Sequence, residues 1–163
     1  MYSQAGLFNL LEVEGTPGSN MLLGSGIIGL GDINNDGWPD FAVSAEGLGK
    51  TFIYFGGPHT LDGIPDVILK GGDNMVMGDL NGDGYKDLII HRISHEYLSV
   101  DTIYVYFGKS PNPLALDTIP GLVIAGEHSL TDTRFGVSMA VGDLNNDGRD
   151  DFFRFLLGLI PGH

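Results

Sequence analysis

The chain has no cysteine among its 163 residues, so neither a disulfide scaffold nor a thiolate metal site is open to it. It is also short of basic residues, with eight Lys and Arg against 21 Asp and Glu. A net charge of −13 argues against nucleic acid or an anionic membrane surface as a partner. No stretch approaches the roughly 18 apolar residues of a membrane span, which excludes membrane insertion by a helix within this chain. Residues 1–6 lack a basic segment followed by an apolar run, so any export address is expected outside this chain. Helical periodicity is convincing nowhere.

What the chain has in excess is glycine: 26 of 163 residues, about twice the roughly 7% average, which points to many tight turns. Apolar residues at 42% suffice for a folded core. The acidic residues are concentrated, ten of the 21 lying in three copies of the pattern Asp-x-Asn-x-Asp-Gly-x-x-Asp. The copies are residues 32–40, 79–87 and 143–151. Oxygen-bearing side chains fall at positions 1, 3, 5 and 9: Asp32, Asn34, Asp36 and Asp40; Asp79, Asn81, Asp83 and Asp87; Asp143, Asn145, Asp147 and Asp151. Glycine holds position 6, where the chain must turn sharply.

An acidic Asp-Gly hairpin turn is the plainer explanation of one such segment. Three carboxylates gathered in each loop count against it. Like charges 4 Å apart repel by about 1 kcal/mol in water and about 4 at an effective dielectric of 20. A bound cation relieves that repulsion. All-oxygen donors in a forgiving geometry suit Ca2+ better than Mg2+, zinc or copper, and up to three Ca2+ ions are expected. By analogy with other calcium loops, position 7 (Trp38, Tyr85 and Arg149) offers its backbone carbonyl. An EF-hand is excluded, because position 12 is Val43, Ile90 or Arg154 instead of Glu and the flanks read as strands.

Self-similarity extends past the loops. Each follows a short apolar run ending in Gly, and the first two precede another, Phe41-Ala42-Val43 and Leu88-Ile89-Ile90. A third element, Thr51-Phe52-Ile53-Tyr54-Phe55-Gly56, matches Thr102-Ile103-Tyr104-Val105-Tyr106-Phe107-Gly108, and a fourth runs through Val67-Ile68-Leu69 and Leu122-Val123-Ile124. These runs are β-branched and aromatic, bounded by Gly, Pro and Asp, and read as strands. One repeat is therefore four antiparallel strands, A to D, with the acidic loop joining A to B. The fold class is all-β, built of propeller-type blades. The expected divisions are an outer strand and linker over 7–25, a first blade over 26–71, a second over 72–126 and a truncated third over 127–163.

With its loops, strands and Phe-Gly turns, the chain resembles the FG-GAP repeats of integrin alpha-subunit propellers and their bacterial relatives. The clearest copy is Phe135-Gly136-Val137-Ser138-Met139-Ala140-Val141-Gly142-Asp143. A literal Gly-Ala-Pro is missing after strand B, where Val43-Ser44-Ala45 and Ile90-His91-Arg92 stand. The resemblance implies Ca2+ between strands A and B in a structural role, an extracellular or cell-surface setting, and non-enzymatic adhesion or protein recognition. It implies an unknown protein or glycan ligand on the D–A and B–C loops, here residues 15–24, 46–50, 93–101 and 127–134. The inserted stretch 93–101, with His95, Glu96 and Tyr97, is the candidate contact surface. The family normally builds seven blades, so about two and a half imply a fragment. The alternatives are an accessory propeller of a secreted hydrolase, lyase or phospholipase, or a gene fragment without independent activity.

Other patterns carry less. Gly24-Ser25-Gly26-Ile27-Ile28-Gly29 spells a dinucleotide fingerprint, but an acidic loop follows where a helix should open. Gly136 to Ala140 falls short of a nucleophile elbow. His91, His95 and Glu96 have zincin-like spacing without a helix, and read as solvated loop residues. Aromatics alternating along strand C (Tyr54, Phe55, Tyr104, Tyr106 and Phe107) read as packing between blades before they read as a sugar platform. No catalytic residue is nominated.

Overall fold

A computed structural model describes residues 21–58, 62–94, 100–110, 116–126 and 138–154. Residues 7–20 of the expected outer strand and linker, residues 95–99 of the contact stretch and the Phe135-Gly136 turn lie outside these residues. Two four-stranded antiparallel sheets and one two-stranded hairpin make up the structure. The first sheet runs in simple order through β1 (Leu23–Gly31), β2 (Asp40–Ala45), β3 (Lys50–Tyr54) and β4 (Val67–Lys70). The second repeats it with β5 (Met75–Gly78), β6 (Asp87–Arg92), β7 (Thr102–Tyr106) and β8 (Leu122–Ala125). The hairpin pairs β9 (Met139–Gly142) with β10 (Asp151–Arg154). Each acidic segment joins an A strand to a B strand, and the sheets do not close on one another. The only helical element among the described residues is a 3-10 turn at Glu46–Leu48.

Alternation along each strand sends successive side chains to opposite faces, and both faces here are apolar. Leu30, Ala42, Ile53 and Leu69 of the first sheet meet Leu88, Ile90, Tyr106 and Leu116 of the second in one buried cluster. The opposite face of the second sheet, Ile89, Ile103 and Val105, is covered by Met139, Val141 and Phe152 of the hairpin. On the far face of the first sheet Tyr54 stacks on Phe41, ring centroids 5.2 Å apart, beside Val43 and Phe52. Phe55, Tyr104, Tyr106 and Phe107 therefore pack between sheets, whereas Tyr54 packs within the far face of the first. Tyr106 does more: its hydroxyl donates to Lys70 O at 3.0 Å and accepts from Lys70 N at 2.8 Å, satisfying the edge of β4 from the neighbouring sheet. Burial pushes its phenol up to about 12, because the charged form would lose its water.

The hairpin docks on the second sheet through its own acidic loop. Asp150, at position 8, accepts the Asp79 N–H at 2.8 Å and returns its own N–H to Asp79 O at 2.7 Å. Val141 rests on Gly78, where any Cβ would overlap its methyl group.

Candidate metal loops

The three loops share one hydrogen-bond pattern, set by Asx turns that need no tertiary partner. In the first, the Asp32 carboxylate accepts the N–H of Asp36 at 3.0 Å and of Gly37 at 2.8 Å. Asn34 Oδ1 takes the same Asp36 N–H at 3.1 Å, and Asp36 Oδ1 takes the Trp38 N–H at 2.9 Å. Asn34 Nδ2 donates to Asp36 Oδ2 at 2.9 Å. The second loop repeats these bonds with Asp79, Asn81 and Asp83, the third with Asp143, Asn145 and Asp147. The side chains at positions 1, 3 and 5 are thus folded over the loop they belong to. Trp38 and Tyr85 at position 7 turn their rings to solvent, leaving only backbone for the loop.

The glycine at position 6 has φ near +90° in every copy (Gly37, Gly84 and Gly148). Position 4 is also left-handed, with φ of 59° at Asn35, 75° at Gly82 and 58° at Asn146. Sequence reasoning did not single out position 4. Its signal was present, since Asn and Gly are the residues that enter this region at least cost.

Position 9 behaves differently from the rest. Asp40 Oδ2 accepts the Ile33 N–H at 2.8 Å, while Oδ1 reaches across to the Gly56 N–H at 2.8 Å. Asp87 does the same with Leu80 and Gly108, at 2.9 and 2.8 Å. Both carboxylates are almost fully buried, at 2% and 0% exposure. Burial raises both above the ordinary carboxylate value, with the two N–H bonds pulling the other way and the charges at positions 1 and 5 adding to the rise. The Phe-Gly turn ending strand C is explained here. Its glycine supplies an N–H to the position 9 carboxylate, and a Cβ at Gly56 or Gly108 would fall on the carbonyl oxygen of Pro39 or Lys86. Asp151 holds only the Leu144 N–H, at 3.1 Å, among the described residues.

The donor chemistry fits a hard cation. Every side-chain acceptor at positions 1, 3, 5 and 9 is oxygen, and a carboxylate oxygen bonded to one N–H keeps a second lone pair. Among the described residues no group of three or more His, Cys, Asp or Glu is placed to hold a metal ion.

The other sequence patterns resolve plainly. Residues 24–29 lie within β1, paired to β2, with the Gly26 N–H on Ser44 Oγ at 2.6 Å, so no helix N-terminus faces a phosphate there. Ser138 leads into β9 and then the third loop. The expectation of a solvated His91 is overturned. It sits inside β6, fully buried, because strand B extends two residues beyond its apolar run. Its Nε2 stands 3.9 Å from Asp101 Oδ2. His95 and Glu96 lie outside the described residues.

Residues 32–90 match the FG-GAP-like repeat. Human integrin alpha-7 is 31% identical over 137 residues, covering 74% of this chain and 11% of that protein. Mouse integrin alpha-7 is 36% identical over 132 residues, 72% of this chain and 10% of that protein. Human integrin alpha-6 is 35% identical over 95 residues, 52% of this chain and 8% of the relative. These are FG-GAP repeats of the integrin alpha-like kind. The chain spans about a tenth of the length of these curated relatives. The FG-GAP match covers the first loop, strands B to D of the first sheet, and the second loop with most of its strand B. It thus contains the first of the two position 9 ties whole.

Proposed function

We propose that the chain is a calcium-binding, non-enzymatic segment of an FG-GAP propeller, from a secreted or cell-surface protein that acts in adhesion or protein recognition. Up to three Ca2+ ions bind, one per loop. The ligands are the side chains at positions 1, 3, 5 and 9, with the carbonyls of Trp38, Tyr85 and Arg149. The single observation that carries this reading is the threefold recurrence of one loop conformation, with the same Asx bonds and the same left-handed residues at positions 4 and 6. The relatives are integrin alpha chains, and the adhesive setting is carried over from them. Extracellular calcium modules bind at about 0.1–1 mM, which suits an external site.

In this role the cation is a folding ligand. It neutralises the carboxylates that the loop's own N–H groups bring together, and binding only the folded form stabilises it by mass action. At 100 times the dissociation constant one such site contributes about 2.7 kcal/mol. The measurement is a thermal melt in EDTA and in millimolar Ca2+. The melting temperature falls in EDTA and returns with Ca2+, and Asp36→Ala or Asp83→Ala reduces the response. A folded protein whose melt ignores both reagents sinks the metal reading.

A further inference from the structure

The second and third acidic loops touch, and the contacts fall on the positions that shape the second. Asp150, at position 8 of the third loop, is bonded to both backbone groups of Asp79, position 1 of the second. Its Oδ2 accepts the Asp79 N–H at 2.8 Å, and its own N–H reaches Asp79 O at 2.7 Å. Asp79 in turn holds the second loop together, because its carboxylate accepts the N–H groups of Gly82, Asp83 and Gly84. Arg149, at position 7, lays its stem on Gly82, position 4, where a Cβ would come 2.9 Å from Arg149 Cγ. Gly82 is left-handed, with φ of 75°. Lys86 Nζ stands 3.8 Å from Asp150 Oδ2, an exposed pair that contributes little by comparison. The first and second loops have no such join. Position 8 of the second loop is Lys86, whose ammonium offers the Asp32 N–H no acceptor, and no hydrogen bond links residues 32–40 to residues 79–87.

We propose that Asp150 and Arg149 are positioning residues through which the third loop prepares the second, so that this pair of loops takes up Ca2+ cooperatively while the first loop binds alone. The inference rests on the calcium reading above and adds to it a coupling between sites. Loading the third loop fixes the Arg149 carbonyl and the Asp151 carboxylate, the ligands on either side of Asp150 in the chain. With both neighbours held, Asp150 is held too, and with it the N–H and carbonyl of Asp79. The second loop then has less conformational freedom left to lose when it closes on its own ion. By linkage the help is returned: a loaded second loop holds Asp79, and through it the third.

The test is a Ca2+ titration of the 15N-labelled full chain, followed by NMR at the amides of Gly37, Gly84 and Gly148. Each donates to the position 1 carboxylate of its own loop and so reports that loop. Disabling the third loop with Asp147→Ala is expected to raise the Gly84 midpoint about fivefold, the lower end of usual coupling, and to leave Gly37 in place. Asp83→Ala raises the Gly148 midpoint by the same factor. In an Asp150→Ala background the Asp147→Ala change no longer moves Gly84, whereas Asp150→Asn, which keeps an acceptor for the Asp79 N–H, retains the coupling. Hydrogen exchange gives a second readout that leaves the third loop intact, should Asp147→Ala fail to fold. In Asp83→Ala, Ca2+ still slows exchange of the Asp79 amide, because that N–H is held by Asp150. The coupling is overturned if Gly84 ignores the loss of the third loop, if Gly37 shifts equally, or if Asp79 exchange is indifferent to Ca2+. Glycine signals that titrate independently refute the coupling alone, and signals that never respond to Ca2+ refute the calcium reading with it.

Discussion

The first two acidic loops and the third have the same internal bonds, but they are attached to the protein differently. Asp40 and Asp87 are buried and tie their loops to the end of strand C through Gly56 and Gly108. Asp151 is half-exposed and, among the described residues, ties its loop only to itself through Leu144. The third loop is held instead by Asp150, which grips the backbone of Asp79 on the neighbouring sheet. Loop shape is therefore local chemistry, whereas loop attachment depends on what packs alongside. The same nine-residue pattern can be anchored within its own blade or across to the next.

The sharpest way to break this comparison is to remove position 9 in each setting. Asp87→Ala leaves the Leu80 and Gly108 N–H groups without an acceptor in a buried site, and about 3 kcal/mol of stability is expected to go. Asp151→Ala, freeing one N–H near solvent, is expected to cost about 1 kcal/mol or less. Urea unfolding of both variants measures the difference, and equal losses would mean that strand C does not set the value of the tie.

Next in size is the bond between the first two sheets. The Tyr106 phenol keeps its proton in the folded state up to about 12, whereas the unfolded chain releases it near 10. A raised value means the contribution is complete below pH 10 and lost as pH rises through 12. The loss amounts to about 2–3 kcal/mol over that window. Tyr106→Phe removes this alkaline step, and it costs about 1–2 kcal/mol at pH 7 by leaving the Lys70 peptide groups unpaired. An unchanged alkaline melt in the variant would assign the step elsewhere.

Smallest are the left-handed residues that all three loops share. Asn35→Ala and Asn146→Ala are each expected to cost about 1 kcal/mol, while Asn35→Gly stays within about 0.5. Gly82→Asn, which matches the residue of the other two loops, is expected to cost under about 1 kcal/mol, because the new Cβ meets only the flexible stem of Arg149, 2.9 Å away. Thermal melts at fixed Ca2+ read all four. A large loss at Asn35 with none at Asn146 would show that loop shape, too, depends on the neighbours.

Much of this was legible beforehand because it is local. Alternating β-branched and aromatic runs between Gly and Asp located the strands to within a few residues, and the spacing of Asp, Asn and Gly located the loops. The errors have one cause. Strand B was read as ending with its apolar run, yet β6 continues through His91, whose burial comes from the sheets packed around it. The glycines of the Phe-Gly turns read as punctuation, while their reason is a neighbouring carbonyl some 20 residues away in sequence. Asp150 was not singled out in the sequence, and its use appears only with the second sheet alongside.

The amino-acid sequence by itself determined the repeat, the strand order within it and the oxygen-rich loop conformation, because period-two alternation and Asx turns act over a few residues. Only the tertiary structure decided which carboxylates are buried, which glycines admit no side chain, and that His91 lies inside a sheet. Those outcomes depend on distances between segments far apart in the chain, and burial and charge both act through space.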